Sequence, residues 1–478
     1  MPRSAHGRIH FPSPRARRCA VAGALTLIAS ALALHADDGD LDPAFHPDSG
    51  GVFHFHSGSN GDARTRKLLA APDGASVMLV ELNPDAATGL DGWRRVTATG
   101  ASSTCLIGSG TLSTFKLAGG NFDRLGRLVV VGNSNDPDPW QIVVARYLYP
   151  ACTPDPSFDG NGLAGYLGSG GYFPLAAGVV ERSTPPGGAI TFHFLYVAAT
   201  VQDSPTDVVL LRIWDDGALD TDWGGGDGWV RQGFSGFRSY ASDIELDSDR
   251  RLVVVADLQD WSAGCDNGFC NDIGVTRFNG DGSLDESFDG NGVKRVSFDL
   301  IPDGRDIVRD VAVRSDGAIA LVGDVEGSSV FHMGIAVLRE DGQYDSQFDD
   351  NGQRLVDLSG YDATYGWGAV YQSDNRLVVV GSARTSVLFP YLDDSFAARL
   401  LPGGQFDGSF GSGGASLLAV DLISNANDRA LALALEGGRA IVGGEAVRSG
   451  GGLDAYVLRL ENRLIFRDGV ETGSLFYW

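Results

Sequence analysis

The sequence predicts an all-β chain, a seven-bladed β-propeller of about 60-residue four-stranded repeats, and three observations carry that expectation. A short phrase, fullest at Leu284-Asp285-Glu286-Ser287-Phe288-Asp289-Gly290-Asn291-Gly292, recurs along the chain. A run rich in β-branched residues follows each copy at a regular distance. Glycine reaches 66 of 478 residues, about twice the usual share of roughly 7%, as many tight turns require.

The other copies of the phrase stand at Leu41-Asp42-Pro43-Ala44-Phe45, Asp155 to Gly162, Leu219-Asp220-Thr221-Asp222-Trp223, Tyr344 to Gly352, and Phe406 to Phe410. Their Asp positions 155, 220, 285, 345 and 407 lie 65, 65, 60 and 62 residues apart, room for four short strands. The unit from 285 reads as strand A over Gly292 to Leu300, B over Asp306 to Arg314, C over Ala318 to Asp324 and D over Gly334 to Arg339. Ser315-Asp316-Gly317 joins B to C as a tight hairpin, since glycine tolerates the positive φ that such turns need. Strand C returns as Arg127 to Gly132, Arg251 to Val255, Arg376 to Gly381 and Arg439 to Gly444, and its unbroken apolar character implies burial on both faces. Strand D returns as Val143 to Arg146, Leu210 to Arg212, Val275 to Arg277, Val337 to Arg339, Ala397 to Arg399 and Val457 to Arg459.

Two units fit between 42 and 155, the second without its opening phrase, so residues 37–463 hold seven. Seven four-stranded sheets close into a ring in which each face is covered by the next blade, and few edges stay exposed. The phrase and its Val-rich strand resemble the delta-60 repeat of exported bacterial proteins. That resemblance covers nearly the whole chain after residue 36, with Trp223 in place of Phe and the missing copy near Cys105 as departures. It implies a propeller-like fold and no particular activity. The tail 464–478, with Ile465 to Gly473, is similar to a short C-terminal motif of exported gammaproteobacterial proteins, which implies processing or sorting.

Residues 1–36 carry five arginines, no acid, and an apolar run from Ala20 to Leu34, the pattern of a secretory signal peptide. The expected location is secreted, periplasmic or on the outer surface, and no later segment is long enough to span a bilayer as a helix. Removing 1–36 takes the formal charge from −24 to −29, which argues against nucleic acid as a partner. Four cysteines remain and read as two disulfides with three possible connectivities, of which Cys105 with Cys152 and Cys265 with Cys270 is the favoured one.

A residue that recurs in every unit does a job every unit needs, so Asp of the phrase and Arg of strand D read as a structural pair at the blade end. Function must lie in what is not repeated. In an up-and-down blade the A–B and C–D loops share one face, and unique aromatics collect there. Tyr172, Phe234, Phe237, Tyr240, Tyr361, Tyr365 and Trp367 fall to the A–B side; Trp140, Trp261 and Tyr391 fall to the C–D side. Acids accompany them at Asp136, Asp138, Asp260, Asp266, Asp393 and Asp394. Flat rings beside oxygen-rich side chains suit sugars, whose C–H faces stack while hydroxyls need acceptors.

No nucleophile-elbow, zinc-protease or phosphate-loop motif is present. His54 and His56 share one strand face near His46 and are the one histidine group with metal spacing. The run Asn279, Asp281, Ser283, Asp285 alternates oxygen donors and makes calcium the one cofactor the loops allow; it lacks the Glu of an EF-hand. The expected function is an exported, non-enzymatic binding or scaffold protein that recognises a glycan or a cell-surface protein through the loop face. Two alternatives stand beside it: a polysaccharide hydrolase or lyase on the same scaffold, and a structural or adhesive module.

Overall fold

The computed structural model describes residues 38–461 apart from 47–50, 57–60, 84–88, 137–139, 169–173, 184–190, 261–269, 299, 302–303, 386–391, 419, 421 and 424–425. Among the described residues every regular element is a strand, and the strands form seven sheets in a ring, the seven-bladed propeller. Blade 4 shows the plan: Arg238–Leu246, Leu252–Asp260, Cys270–Phe278 and Val293–Val296 pair antiparallel in that order. The first strand of each blade stands innermost. The core lies in seven seams, one at each blade boundary, rather than in a single centre.

One correction concerns the frame of the repeat. Strand A does not begin its own sheet; it forms the outer edge of the preceding one, as Val293–Val296 does against Cys270–Phe278. The first such strand, Val52–Phe55, therefore has no preceding blade. It pairs with Leu453–Arg459 in register Val52 to Leu458, and the two ends of the chain close blade 7 together.

The recurring pair of Arg and Asp is a buried latch. Arg277 is 0% exposed, donates from Nε to Asp285 at 2.7 Å, and lies 4.7 Å from the Phe288 ring. The same arrangement holds Arg146 to Asp155, Arg399 to Asp407 and Arg459 to Asp42, each with its guanidinium over the phrase's Phe. Trp223 substitutes for Phe because Arg212 stacks on it equally, at 5.3 Å. Gly292 closes the phrase with a φ of +81°, and a Cβ there would meet the Cβ of Leu284 at 2.7 Å.

The latch also reaches the next blade, since Arg277 Nη1 donates to the Glu340 carbonyl at 2.6 Å and Asp289 N to the Asp341 carbonyl at 2.9 Å. Blade 5 departs from the expected alignment. Asp345 N donates to the carbonyl of Val337, so Val337 holds the arginine's place and Arg339 lies two residues beyond it, in the turn with Asp341. Blade 1 has no phrase: Gly92–Val96 and Ser102–Leu106 are joined by a short turn. There a disulfide joins Cys105 to Cys152, in the blade 2 hairpin that a preceding phrase would otherwise grip. A covalent latch thus stands where the ionic one is missing. Cys270 is disulfide-bonded, and its expected partner Cys265 lies outside the described residues.

Candidate functional site

Each of the seven inner strands carries a β-bulge at the same level. The register against the second strand skips one residue in every blade: Arg66, Ala118, Ala177, Ser242, Arg309, Trp367 and Leu431. A bulge bends its strand and re-aims a side chain. All seven of these residues line one cavity of about 440 Å³ at the propeller axis. Its other lining residues flank the bulges in the middle of the inner strands, with Glu445 added from the second strand of blade 7. The bulge repeats, but its occupant does not.

The position after each bulge holds Lys67, Gly119, Gly178, Asp243, Asp310, Gly368 or Ala432. This layer is crowded: a Cβ on Gly119 would meet the Ala177 carbonyl at 3.0 Å, and one on Gly178 would meet Asp243 at 2.8 Å. Four small residues leave room for three charged ones. Lys67 Nζ crosses from blade 1 to blade 4 and donates to both oxygens of Asp243, at 2.9 and 3.2 Å. Asp310 of blade 5 accepts from Ala369 N of blade 6 at 2.8 Å. The cluster lies in the cavity wall and ties blade 1 across the axis to blade 4, with Asp310 of blade 5 beside it.

Its electrostatics follow from burial and crowding. Burial, then the Asp243 carboxylate, pushes the Asp310 carboxyl well above the usual range, with Lys67 opposing. Burial also raises Glu245, next on that strand face, to about 7. For Lys67 burial works the other way, yet Asp243, Asp310 and Glu245 together hold its ammonium form above the ordinary lysine value.

Around the cavity wall stand Arg64, paired with Glu445, and Arg429, 2.8 Å from Asp393. Arg309 places Nε and Nη2 on Asp324 at 3.2 and 3.0 Å, and its guanidinium lies 4.5 Å from the Trp367 ring. Arg66 is half exposed, 3.9 Å from Glu81. The indole Nε1 of Trp367 is buried with no hydrogen-bond partner among the described residues.

Of the aromatics expected on the loop face, Trp367 lies in this wall, on the strand Ala363–Tyr371 rather than on a loop. Tyr365, two residues earlier, sits 6.0 Å from Phe331 and 4.9 Å from the Arg384 guanidinium. Tyr361 packs on the seam between blades 5 and 6 and donates its hydroxyl to Asp394 at 2.8 Å. Phe234 and Phe237 pack into the seam between blades 3 and 4, with Arg295 over the Phe237 ring at 4.8 Å. Tyr240 and Trp140 are half-buried, away from the cavity lining. Tyr172, Trp261 and Tyr391 lie outside the described residues, as do Asp138 and Asp266. Asp136 accepts from Ser113 N, and Asp393 from Arg384 and Arg429.

The sequence reading missed Arg66, Ser242, Arg309, Lys67, Asp243 and Asp310. A signal was available. In blades 1, 2, 4, 5 and 6 the bulged residue stands eight positions before the positive-φ residue of the next turn: Gly74, Gly126, Arg250, Gly317 and Asn375.

In the run proposed for calcium, Asp281 accepts from the Ser283 amide at 3.0 Å and hydroxyl at 2.7 Å, and Asp285 accepts from Arg277, so these oxygens serve the turn. No group of three or more His, Cys, Asp or Glu arranged around a metal position occurs among the described residues. Burial lowers the His54 pKa, and His56 stands 4.0 Å from Asp454. No helix of the described residues is long and apolar enough to cross a membrane.

Comparison with known proteins gives a short family-model match and several similar structures. No curated protein matches the chain. Among solved structures it is similar to a protein of unknown function from Dyadobacter fermentans DSM 18053, at 11% identity over 86% of this chain and 98% of that one, with a TM-score of 0.48. It is similar to the polysaccharide lyase Uly1 at 10% identity over 83% and 90%, TM-score 0.47. The α-L-arabinanase of Penicillium chrysogenum complexed with arabinobiose follows at 11% over 70% and 92%, TM-score 0.39. Residues 270–288, the third strand of blade 4 and the start of its phrase, match the family described as "Domain of unknown function (DUF5122) beta-propeller", in keeping with the seven-bladed propeller that the strands form.

Proposed function

We propose that this chain is an exported, non-enzymatic binding propeller that takes a saccharide in the bulge-lined cavity on its axis. One observation carries the reading: seven bulges gather Trp367, Arg66, Arg309, Ser242 and three aliphatic side chains around one cavity. A repeated scaffold with unrepeated occupants is how a rigid fold presents a specific site. Trp367 supplies a stacking face, and the polar occupants supply hydrogen bonds. The disulfide between Cys105 and Cys152 supports an oxidising compartment and hence export.

A second reading, a polysaccharide hydrolase or lyase, is favoured by the raised carboxyl of Asp310 beside Asp243 in the same wall, the pattern of an acid next to a carboxylate. Both are tested by incubating residues 37–478 with a panel of bacterial and plant polysaccharides, measuring binding and released sugars. Specific binding without products, abolished in a folded Trp367→Ala variant, is the expected result. Products that disappear in Asp310→Asn would replace the binding reading with the enzymatic one. Absence of any binding would end both.

A further inference from the structure

We infer that the saccharide taken by this cavity is an acidic one, whose carboxylate or sulfate groups are received by Arg66 and Arg309 beside the Trp367 ring. The inference rests on the saccharide reading and narrows it.

The first reason is charge. The chain carries a formal charge of −24, yet the cavity wall holds five cations, Arg64, Arg66, Lys67, Arg309 and Arg429, against three acids. Positive lining inside a negative protein is a local choice, and it focuses anions on the cavity. Burial and Asp243 also favour the neutral form of Asp310, which leaves the wall more positive still.

The second reason is the type of hydrogen bonding on offer. The wall's carboxylates are already engaged: Asp243 by Lys67 and the Ile244 amide, and Glu445 by Arg64. Donors are what remain. Arg66 is 50% exposed with its nearest ion-pair contact at 3.9 Å, beyond hydrogen-bonding range. A neutral sugar needs acceptors as much as donors, whereas a carboxylate or sulfate presents only acceptors.

The third reason is geometry. Arg66 and Arg309 both stand at bulge positions, which turn them into the cavity. The Arg309 guanidinium lies 4.5 Å from the Trp367 ring, so a saccharide held against the indole would bring its substituents to a guanidinium fork. A cavity of about 440 Å³ suits a few sugar rings rather than a protein surface.

The test is calorimetric titration of residues 37–478 with matched pairs of oligosaccharides. One pair is oligogalacturonate and the same chain with its carboxyls reduced to alcohols; the other is a sulfated galactan fragment and its desulfated form. The acidic member of at least one pair binds at least tenfold tighter at low salt, about 1.4 kcal/mol, and the advantage shrinks as salt rises. The pair that shows it distinguishes carboxylate from sulfate. Arg66→Gln, at a half-exposed site, removes most of the advantage while leaving the melting temperature in place. Equal binding of acidic and neutral members overturns the inference but leaves the saccharide reading standing; an undiminished advantage in Arg66→Gln overturns the role of Arg66. No binding to any member removes both.

Discussion

Replacing Arg277 by alanine tests whether the latch holds the blades together. The side chain is fully buried and makes three hydrogen bonds, to Asp285 at 2.7 Å, to the Glu340 carbonyl at 2.6 Å and to Ser287 at 3.1 Å, besides its stacking on Phe288. Its loss takes one donor from the Glu340 carbonyl and the shortest ion-pair contact from Asp285, which keeps Ser287 and, at 3.3 Å, Arg251. Removing one partner of a buried ion pair costs about 3–5 kcal/mol. Spread over an unfolding entropy of roughly 0.9 kcal/mol/K for a ring of this length, that corresponds to a fall of ~3–6 °C in melting temperature. Scanning calorimetry of Arg277→Ala beside Arg339→Ala measures it. Arg339 is 52% exposed and pairs with an equally exposed Asp341, so its removal changes stability by less than about 0.5 kcal/mol. Similar melting temperatures for the two variants would refute the claim that the repeated Arg and Asp exist to join blades.

Three further outcomes are expected. Cys105→Ala with Cys152→Ala opens a link spanning 47 residues and costs about 4 kcal/mol by loop entropy, read as a shift of the urea midpoint. Lys67→Met strips the cation from Asp243 and Asp310 and costs roughly 2–4 kcal/mol, since Lys67 keeps 30% of its surface exposed; the loss is larger at pH 8 than at pH 5, where the Asp310 carboxyl, raised by burial and by Asp243, takes up a proton. Stability peaks at mildly acid pH. Burial raises Glu245 and Asp257 to about 7, so their contribution is full below the unfolded carboxyl range and fades as pH rises through 7. Asp285 and Asp407 resist burial through hydrogen bonds from Ser287 and Ser409 and nearby arginines, lie below the ordinary value, and lose their contribution as pH falls through their lowered pKa. A melting temperature that rises steadily from pH 5 to pH 8, or a Glu245→Gln variant with an unchanged slope, would contradict this.

The repeat was legible because each blade makes the same local demands. Asp285, Phe288 and Gly292 are required by one turn and one buried arginine, so they reappear wherever that turn does. Strand pairing between repeats is not a local demand. Nothing around Val293 says whether its hydrogen bonds go to the strand before or after it, and ring closure by Val52–Phe55 emerges only from the assembled sheet. The alignment of Arg339 with Arg277 failed for a related reason: a two-residue offset places Val337 on the latch and Arg339 in the turn. The site was half legible. Trp367 stood out as an unrepeated aromatic, but its partners Arg66 and Arg309 sit in alternating strand sequence where a bulge leaves no composition signal. Phe234, Phe237 and Tyr361 drew notice as loop aromatics although their rings serve the seams, because exposure at a loop cannot be told from burial beneath it without the neighbouring blade.

The measurement that bears most directly on the central claim is a saccharide titration of Trp367→Ala against Trp140→Ala. Trp367 lies in the bulge-lined cavity, whereas Trp140 lies at the start of Gln141–Leu148 outside it. Loss of binding in Trp367→Ala, with Trp140→Ala matching the parent chain and both variants folded, is the predicted result. Retained binding in Trp367→Ala together with loss in Trp140→Ala would move recognition from the channel to the outer loops and contradict the account.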